Sequence, residues 1–342
     1  MKIGLVGYQG SGKSTLFEWL TGVAPDPALS HHGQSAMAPV PEAHVEPLIK
    51  IYQPKKVTLA SLELYDTPGL DRSHEGNAAR LGLIREAGCL VLVVAAFAGS
   101  DPAEDLANFE EDLILTDMEI VSNRIARLEE SVKKPRPTRD AELAELEALK
   151  PLLEALESST PLRDVALNEE QRRVVRAFQL LSQKPKMIVV NMADDDEDEA
   201  RFESQSSEAQ PVVAYRLGLE LELSRMSPDD RAEFEAEFGL KASEHDNLLR
   251  RMMDVSGQFI YLTAGEKEVR TWMLPKGGTA LEAADNIHSD LARGFIRAET
   301  MRCEDLIQLG SERDVKAQGL VRQEPKDYVV QPGDILHVKF NV

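Results

Sequence analysis

Only two cysteines, Cys89 and Cys303, occur among the 342 residues. They do not form a zinc-type spacing and are too few for a disulfide framework, so a zinc module and a disulfide-stapled secreted fold are both excluded. Buried or inert thiols in a reducing cytosol are expected instead. Long hydrophobic runs are missing too. The longest, CLVLVVAAFAG (89–99), is well short of the roughly 20 residues that span a bilayer, and it suits a central strand. No signal-peptide pattern precedes the first strand, which starts at Lys2, so a cytoplasmic protein without membrane attachment is expected. Positive charge is scarce: 39 Lys and Arg stand against 59 Asp and Glu, a formal net charge of −20. Such a surface repels nucleic acid as a whole, and contact with RNA requires a local basic patch. Length and an ordinary hydrophobic content of 42% allow a large core and two or three domains.

The most informative stretch present is GYQGSGKST, residues 7–15. Gly7, Gly10, Gly12, Lys13 and Ser14 satisfy G-x-x-x-x-G-K-S/T, the phosphate-binding loop, with Ser11 and Thr15 inside the same segment. Glycine lets the backbone wrap an anion closely, because no side chain blocks the approach. Backbone N–H groups and the next helix N-terminus then face the phosphate. Lys13 is placed to reach the β- and γ-phosphates, and the Ser14 hydroxyl to ligate Mg²⁺. The context agrees, since KIGLVG reads as a buried strand and STLFEWLTG as a helix ending at Gly22.

Two further motifs follow. The segment 29–43, polar and broken by proline, reads as a loop, and VTLASLELYDTPGL (57–70) reads as a strand running into D-T-P-G. Asp66 sits where such enzymes hold Mg²⁺ through water, and the Gly69 N–H where it senses a γ-phosphate. PKMIVVNMAD (185–194) is a buried strand ending in Asn-x-x-Asp. At this spacing Asn191 can bond a purine edge, Asp194 can accept from guanine N1–H and N2–H₂, and Met192 stands where guanine readers carry lysine. Three nucleotide motifs, each at a strand end, fit the ligand crevice of a doubly wound α/β sheet. A metabolite kinase would not need the third, so the class is a regulatory-type NTPase.

Between the second and third motifs, Ile114, Met118, Val121, Ile125, Leu128 and Val132 recur at helical spacing, as do Leu143, Leu146, Leu149, Leu153 and Leu156. Broken by KKPRPTR (133–139), these segments predict an antiparallel helical hairpin. Lys133, Lys134, Arg136 and Arg139 concentrate positive charge at its tip, a candidate contact for RNA phosphate. From 258 onward the texture is short strands (QFIYLTA, EVRTWML, FIRAETM, DILHVKF) around one helix, 279–294. This predicts a small α+β domain in which His288 and His337 are structural.

This order of parts resembles the YchF-type Obg-like ATPases, over nearly the whole chain. The resemblance is carried by SDPAEDL (100–106), LTDMEIVSNRI (115–125), KPKMIVVN (184–191), residues 259–300 and KDYVVQPGD (326–334), as well as the P-loop. It implies a P-loop G domain (1–100 and 186–257), a helical coiled-coil insertion (101–185) and a C-terminal TGS-like domain of β-grasp type (258–342). It also implies ribosome association and hydrolysis of ATP in preference to GTP. The chain departs from that pattern in several places. The LSHHGQS region lacks the switch I threonine, leaving Ser30 as the stand-in. Leu70 follows D-T-P-G where Ras-like enzymes place a water-orienting glutamine. The loop 96–105 has no histidine, with His74 a nearby alternative, and Asp194 replaces glutamate.

The reading is therefore a ribosome-associated, Mg²⁺-dependent ATPase or GTPase of low turnover. It acts as a monomer and contacts the large subunit or RNA through Lys133, Lys134, Arg136 and the TGS-like domain. Lys13 and Gly69 act on the phosphates, and Ser14 and Asp66 hold the metal. The alternative is a nucleotide-gated ribosome-binding or RNA-binding protein with little or no hydrolysis.

Overall fold

The computed structural model describes residues 1–207, 210–237 and 244–341. The chain opens with β1 (Lys2–Val6), α1 (Lys13–Thr21), β2 (Gln34–Pro39), α2 (Val45–Tyr52), β3 (Val57–Thr58) and β4 (Ser61–Asp66). It continues through α3 (Asn77–Gly82), β5 (Cys89–Ala96), α4 (Pro102–Ser131), α5 (Arg139–Glu157), α6 (Glu169–Phe178) and β6 (Lys186–Met192). Then come α7 (Ala200–Glu203), β7 (Val212–Tyr215), α8 (Leu217–Ser224), α9 (Pro228–Glu237) and α10 (His245–Val255). The last part holds β8 (Gln258–Thr263), β9 (Val269–Pro275), α11 (Ala280–Ile287), α12 (Ser289–Arg293) and β10 (Phe295–Arg302). It closes with α13 (Cys303–Leu309), α14 (Glu312–Ala317), β11 (Arg322–Glu324) and β12 (Asp334–Phe340).

These elements form two compact units, Met1–Ala36 with Glu63–Ser243, and Met37–Leu62 with Glu244–Val342. In the first, the strand order is β2-β4-β1-β5-β6-β7, and β4, β1, β5, β6 and β7 pair in parallel. Strands covered on both faces read as unbroken apolar runs, and β5 and β6 are buried along almost their whole length. The chain leaves β1 toward β4 on one side and reaches β5 on the other, so the crevice at the strands' C-terminal ends lies beside β1. The P-loop, Asp66 and Asn191 all sit at that end.

The insertion contains the expected hairpin. Asp101 caps α4, accepting from Ala103 N–H at 2.9 Å, with Pro102 in the first turn. Ile114, Val121 and Leu128 of α4 pack with Leu146, Leu149, Leu152 and Leu156 of α5. The third helix, α6, was not anticipated. It is held by an Asn168–Gln171 capping box and adds only Val174, Val175 and the edge of Phe178 to the seam. Two valines in a charged decapeptide leave little periodicity to read. Among the described residues no helix is long and apolar enough to cross a membrane.

Several expectations differ from what forms. Residues 34–39, expected as loop, make edge strand β2, where a polar sequence and a terminal proline are tolerated. The single strand expected over 57–66 is split into β3 and β4. β3 pairs with β9, Val57 opposite Val269, and the Ala60 N–H donates to Thr271 Oγ1 at 2.7 Å. Residues 37–62 and α10 thus group with the second unit, whereas the boundaries 1–100 and 186–257 place them in the first. The pairing partners lie more than 200 residues away in sequence, so no local pattern reveals them.

The second unit has strand order β11-β10-β12-β8-β9-β3. β8 and β9 form an antiparallel hairpin, β12 runs parallel to β8, and β10 is antiparallel to β12. That 2-1-4-3 order is the β-grasp arrangement expected. Ala280 and Ala283 lay the small face of α11 on Phe259, Tyr261 and Leu274. The expected single helix over 279–294 is two, broken at His288, whose backbone is extended and whose Nδ1 accepts from Asp290 N–H at 3.1 Å to start α12.

Candidate nucleotide site

The P-loop joins β1 to α1 and is shaped by close approach. A Cβ on Gly7 (φ +149°) would lie 2.3 Å from the Val93 carbonyl oxygen, and one on Gly12 (φ +101°) 2.2 Å from Asn191 Nδ2. Only glycine fits either position. α1 begins at Lys13 with no side-chain cap, leaving its first N–H groups to face an anion. Lys13 is buried, its Nζ donating to the Tyr8 carbonyl at 3.0 Å. Burial pushes its ammonium down to about 8, against the opposing pull of Asp66. Ser11 is fully buried and its Oγ has no partner among the described residues, while Ser14 is exposed and Thr15 half-buried.

The second motif closes on the first. The Ser14 hydroxyl donates to Asp66 Oδ2 at 2.6 Å, and Asp66 Oδ1 is buried without a hydrogen-bond partner among the described residues. Desolvation holds the Asp66 carboxyl above its usual range, opposed by Ser14 and Lys13. Gln9 N–H donates to Leu70 O and Leu70 N–H to Gly7 O, both at 3.0 Å, so the P-loop and D-T-P-G run side by side. A Cβ on Gly69 would meet Gln9 Cγ at 2.9 Å. Leu70 is 3% exposed and faces the core. Lys13, Ser14, Asp66 and Gly69 line a cleft of about 430 Å³ together with Ser30, His31 and Arg80.

Mg²⁺ fits this donor set. A hydroxyl and a carboxylate with one unpaired buried oxygen are hard ligands, and Mg²⁺ brought in with phosphates needs only one or two of them. Among the described residues no group of three or more His, Cys, Asp or Glu could hold a metal.

The third motif is arranged differently from its sequence reading. Asn191 Nδ2 donates to the Ser11 carbonyl at 3.1 Å, and its Oδ1 accepts from Leu217 N–H at 3.3 Å. Asn191 thus clamps the P-loop, and these two bonds leave one amide hydrogen and one oxygen lone pair unused, as a purine-edge contact would require. Met192, the next residue on β6, points to the opposite face and is buried among Tyr8, Leu70 and Phe109. It therefore packs into the core. Asp194 is exposed, and its Oδ1 accepts from Leu219 N–H at 3.1 Å in the first turn of α8. A Cβ on Gly218 would come within 2.9 Å of that carboxylate.

Two groups escaped the sequence reading. One is Arg80, whose place on the cleft depends on how α3 folds back. The other is a set of carboxylates on the buried face of α4: Asp105, Asp112 and Asp117. Asp105 takes two hydrogen bonds from Arg72, at 2.9 and 2.8 Å. Asp117 accepts from the Leu181 and Ser182 N–H groups at 2.9 and 2.7 Å. Asp112 accepts from Asn77 Nδ2 at 2.8 Å and from the Tyr8 hydroxyl at 3.4 Å, and lies 2.7 Å from His74 Nδ1. The available signal was acids interleaved with Phe109, Leu113 and Thr116 on one helical face, since buried acids require partners. At the hairpin tip, Lys133, Lys134 and Arg136 are exposed, with Lys133 paired to Glu130.

Comparison with known proteins agrees along the chain. The family model described as 50S ribosome-binding GTPase matches residues 2–124, and YchF-GTPase_C, described as a protein of unknown function, matches 259–341. The chain is 35% identical to the Ribosome-binding ATPase YchF of Bacillus subtilis, covering 99% of both. It is 31% identical to the protein of that name from Escherichia coli O157:H7, over 100% of this chain and 99% of the relative. The solved structure of the Schizosaccharomyces pombe YchF GTPase matches with a TM-score of 0.86 at 25% identity, covering 99% of this chain and 97% of that one. Similarity of this extent, through the P-loop unit and the C-terminal unit alike, places the chain in the YchF family.

Proposed function

We propose that this protein is a ribosome-associated, Mg²⁺-dependent nucleoside triphosphatase that prefers ATP, also binds GTP and turns over slowly. The observation that carries the reading is the convergence of buried Lys13, the Ser14–Asp66 pair and the unpaired Asp66 Oδ1 on one cleft. In this reading Lys13 neutralises the β- and γ-phosphates, and the P-loop N–H groups from Gly7 to Thr15 wrap them. Ser14 and Asp66 hold Mg²⁺, and the Gly69 N–H couples the γ-phosphate to the segment after it. Mg²⁺, when bound, neutralises charge on the phosphate oxygens. The first unit serves as the G domain with its 101–185 insertion, and the second as a TGS-like domain. Preference for ATP is supported by Met192 turning into the core and by the relatives' name, ATPase.

The relatives are named for ribosome binding, and the exposed Lys133, Lys134 and Arg136 offer this acidic chain a phosphate contact. We assign the large subunit as target, the cytoplasm as location and the monomer as the working form. Co-sedimentation with ribosomes in ATP, GTP and their non-hydrolysable analogues, with phosphate release measured alongside, tests the reading. Nucleotide-dependent pelleting with slow phosphate release is the expected outcome, and pelleting indifferent to nucleotide overturns it. A second reading, nucleotide-gated binding with little or no hydrolysis, is favoured by Leu70, which is buried and has no group to orient water. Pelleting that responds to nucleotide without any phosphate release would select it.

A further inference from the structure

We infer that Arg80 is a catalytic residue of this chain, supplying within the same molecule the positive charge that stabilises the γ-phosphoryl group in transfer. The inference rests on the nucleoside-triphosphatase reading above. In hydrolysis the water oxygen bonds to the γ-phosphorus, and the bond from that phosphorus to the β–γ bridging oxygen breaks. Its electron pair stays on the departing nucleoside diphosphate, and the water's proton passes to phosphate or solvent. Negative charge on the peripheral and bridging oxygens is what a preorganised cation stabilises more in the transition state than in the ground state. Lys13 provides one such cation from the P-loop. Leu70 is apolar and the segment 96–105 holds no histidine, and neither contributes a second positive charge.

Arg80 lines the same cleft as Lys13, Ser14, Asp66 and Gly69. Its position is fixed from below. Asn77, which opens α3, is buried, with Nδ2 donating to Asp71 O at 2.9 Å and Asp112 Oδ2 at 2.8 Å, and with Oδ1 accepting from Asp71 N–H at 2.9 Å. Arg80 follows three residues later on the same helical face. Its guanidinium makes one long hydrogen bond, NH1 to Asn77 Oδ1 at 3.4 Å, and no ion-pair contact with a carboxylate among the described residues. Asp71 feels its charge only at a distance. The neighbouring arginines are committed elsewhere, Arg72 to Asp105 and Arg85 to Asp117. Half-buried Arg80, whose guanidinium has five donors in a planar fork, therefore lines the cleft that holds Lys13 and Gly69 with its hydrogen bonds largely unspent.

The full-length protein, Arg80→Ala and Arg80→Lys are compared with Mg²⁺ and ATP. Steady-state kcat, affinity for a non-hydrolysable ATP analogue, and retention of ADP with aluminium fluoride, a mimic of the transferring phosphoryl group, are measured. We expect Arg80→Ala to lower kcat on the order of 10²-fold, somewhat less than an arginine finger supplied by a partner. Analogue affinity should change less than about threefold, and Arg80→Ala should lose the tight ADP–fluoride complex. Arg80→Lys should recover part of kcat, since a point charge replaces a fork. Unchanged kcat in Arg80→Ala overturns the inference, as does an affinity loss that matches the activity loss. Wild-type protein that binds nucleotide but neither hydrolyses it nor retains ADP–fluoride also overturns it. Wild-type protein that binds no Mg²⁺-nucleotide at all sinks the triphosphatase reading itself, and the inference with it.

Discussion

His74 Nδ1 lies 2.7 Å from Oδ1 of Asp112, a carboxylate buried on the insertion helix α4. The other oxygen of Asp112 accepts from Asn77 and, at longer range, from the hydroxyl of Tyr8, the residue after the first P-loop glycine. One carboxylate thus ties together the P-loop, the segment after D-T-P-G and the helix leading to the basic tip. His74 adopts a left-handed backbone (φ +63°), an unusual conformation for a residue with a side chain, and the tether helps to hold it. Donating a hydrogen bond to Asp112 raises the imidazole's pKa above its ordinary value of 6.5. The stabilisation is complete below the unfolded value and is lost as pH rises through the folded one. Asp112→Asn should move the His74 titration, followed by NMR, down toward 6.5 and flatten this part of the pH dependence of stability. An unmoved titration would show that the pair does not interact in solution.

Lys13 predicts the opposite kind of pH dependence. Its folded value of about 8 lies below the ordinary 10.5, so stability of the free protein rises as pH climbs between those values. Phosphate binding needs the ammonium form and restores it. Above pH 8, affinity for Mg²⁺-nucleotide should therefore fall by up to about tenfold per pH unit, with proton uptake visible by calorimetry in buffers of different ionisation enthalpy. Lys13→Ala should weaken binding at least about tenfold, roughly 1.4 kcal/mol, and abolish that pH dependence. Unchanged affinity would remove the P-loop assignment.

Asn191 and Asp194 should behave differently despite sharing a motif. Because the Asn191 amide joins Ser11 to Leu217, Asn191→Ala should weaken ATP and GTP equally and lower Tm, as loss of buried hydrogen bonds worth roughly 1–3 kcal/mol. Asp194→Asn should depress GTP binding by a similar amount, roughly 1–3 kcal/mol, and spare ATP, because guanine offers N1–H and N2–H₂ to a carboxylate where adenine N1 is an acceptor. Equal losses for both nucleotides in Asp194→Asn would mean that it does not read the base.

Reversing Lys133, Lys134 and Arg136 to Glu should weaken ribosome co-sedimentation and flatten its salt dependence while nucleotide affinity stays unchanged. Pelleting with the original salt slope would reduce the tip to a solvated turn.

Local features are legible from the residues alone. A P-loop works through backbone N–H groups and glycine conformations, so Gly7 to Ser14 announce it, and Asp66 could be placed because it ends an apolar strand. The α4–α5 hairpin was equally legible, since its leucines and isoleucines keep helical spacing for many turns. Tertiary structure decided what depends on distant partners. Asn191 reads only as a base contact in the sequence, and the fold adds that its amide also joins Ser11 to Leu217. Residues 37–62 read as part of the first domain until β3 meets β9. Arg80 and Asp112 carry no motif, and only the folding of α3 against α4 turns one toward the phosphate cleft and gives the other its partners. The physical reason is range: glycine freedom and apolar periodicity act over a few residues, whereas a side-chain hydrogen bond or a strand pairing is specified only when the chain brings remote segments together.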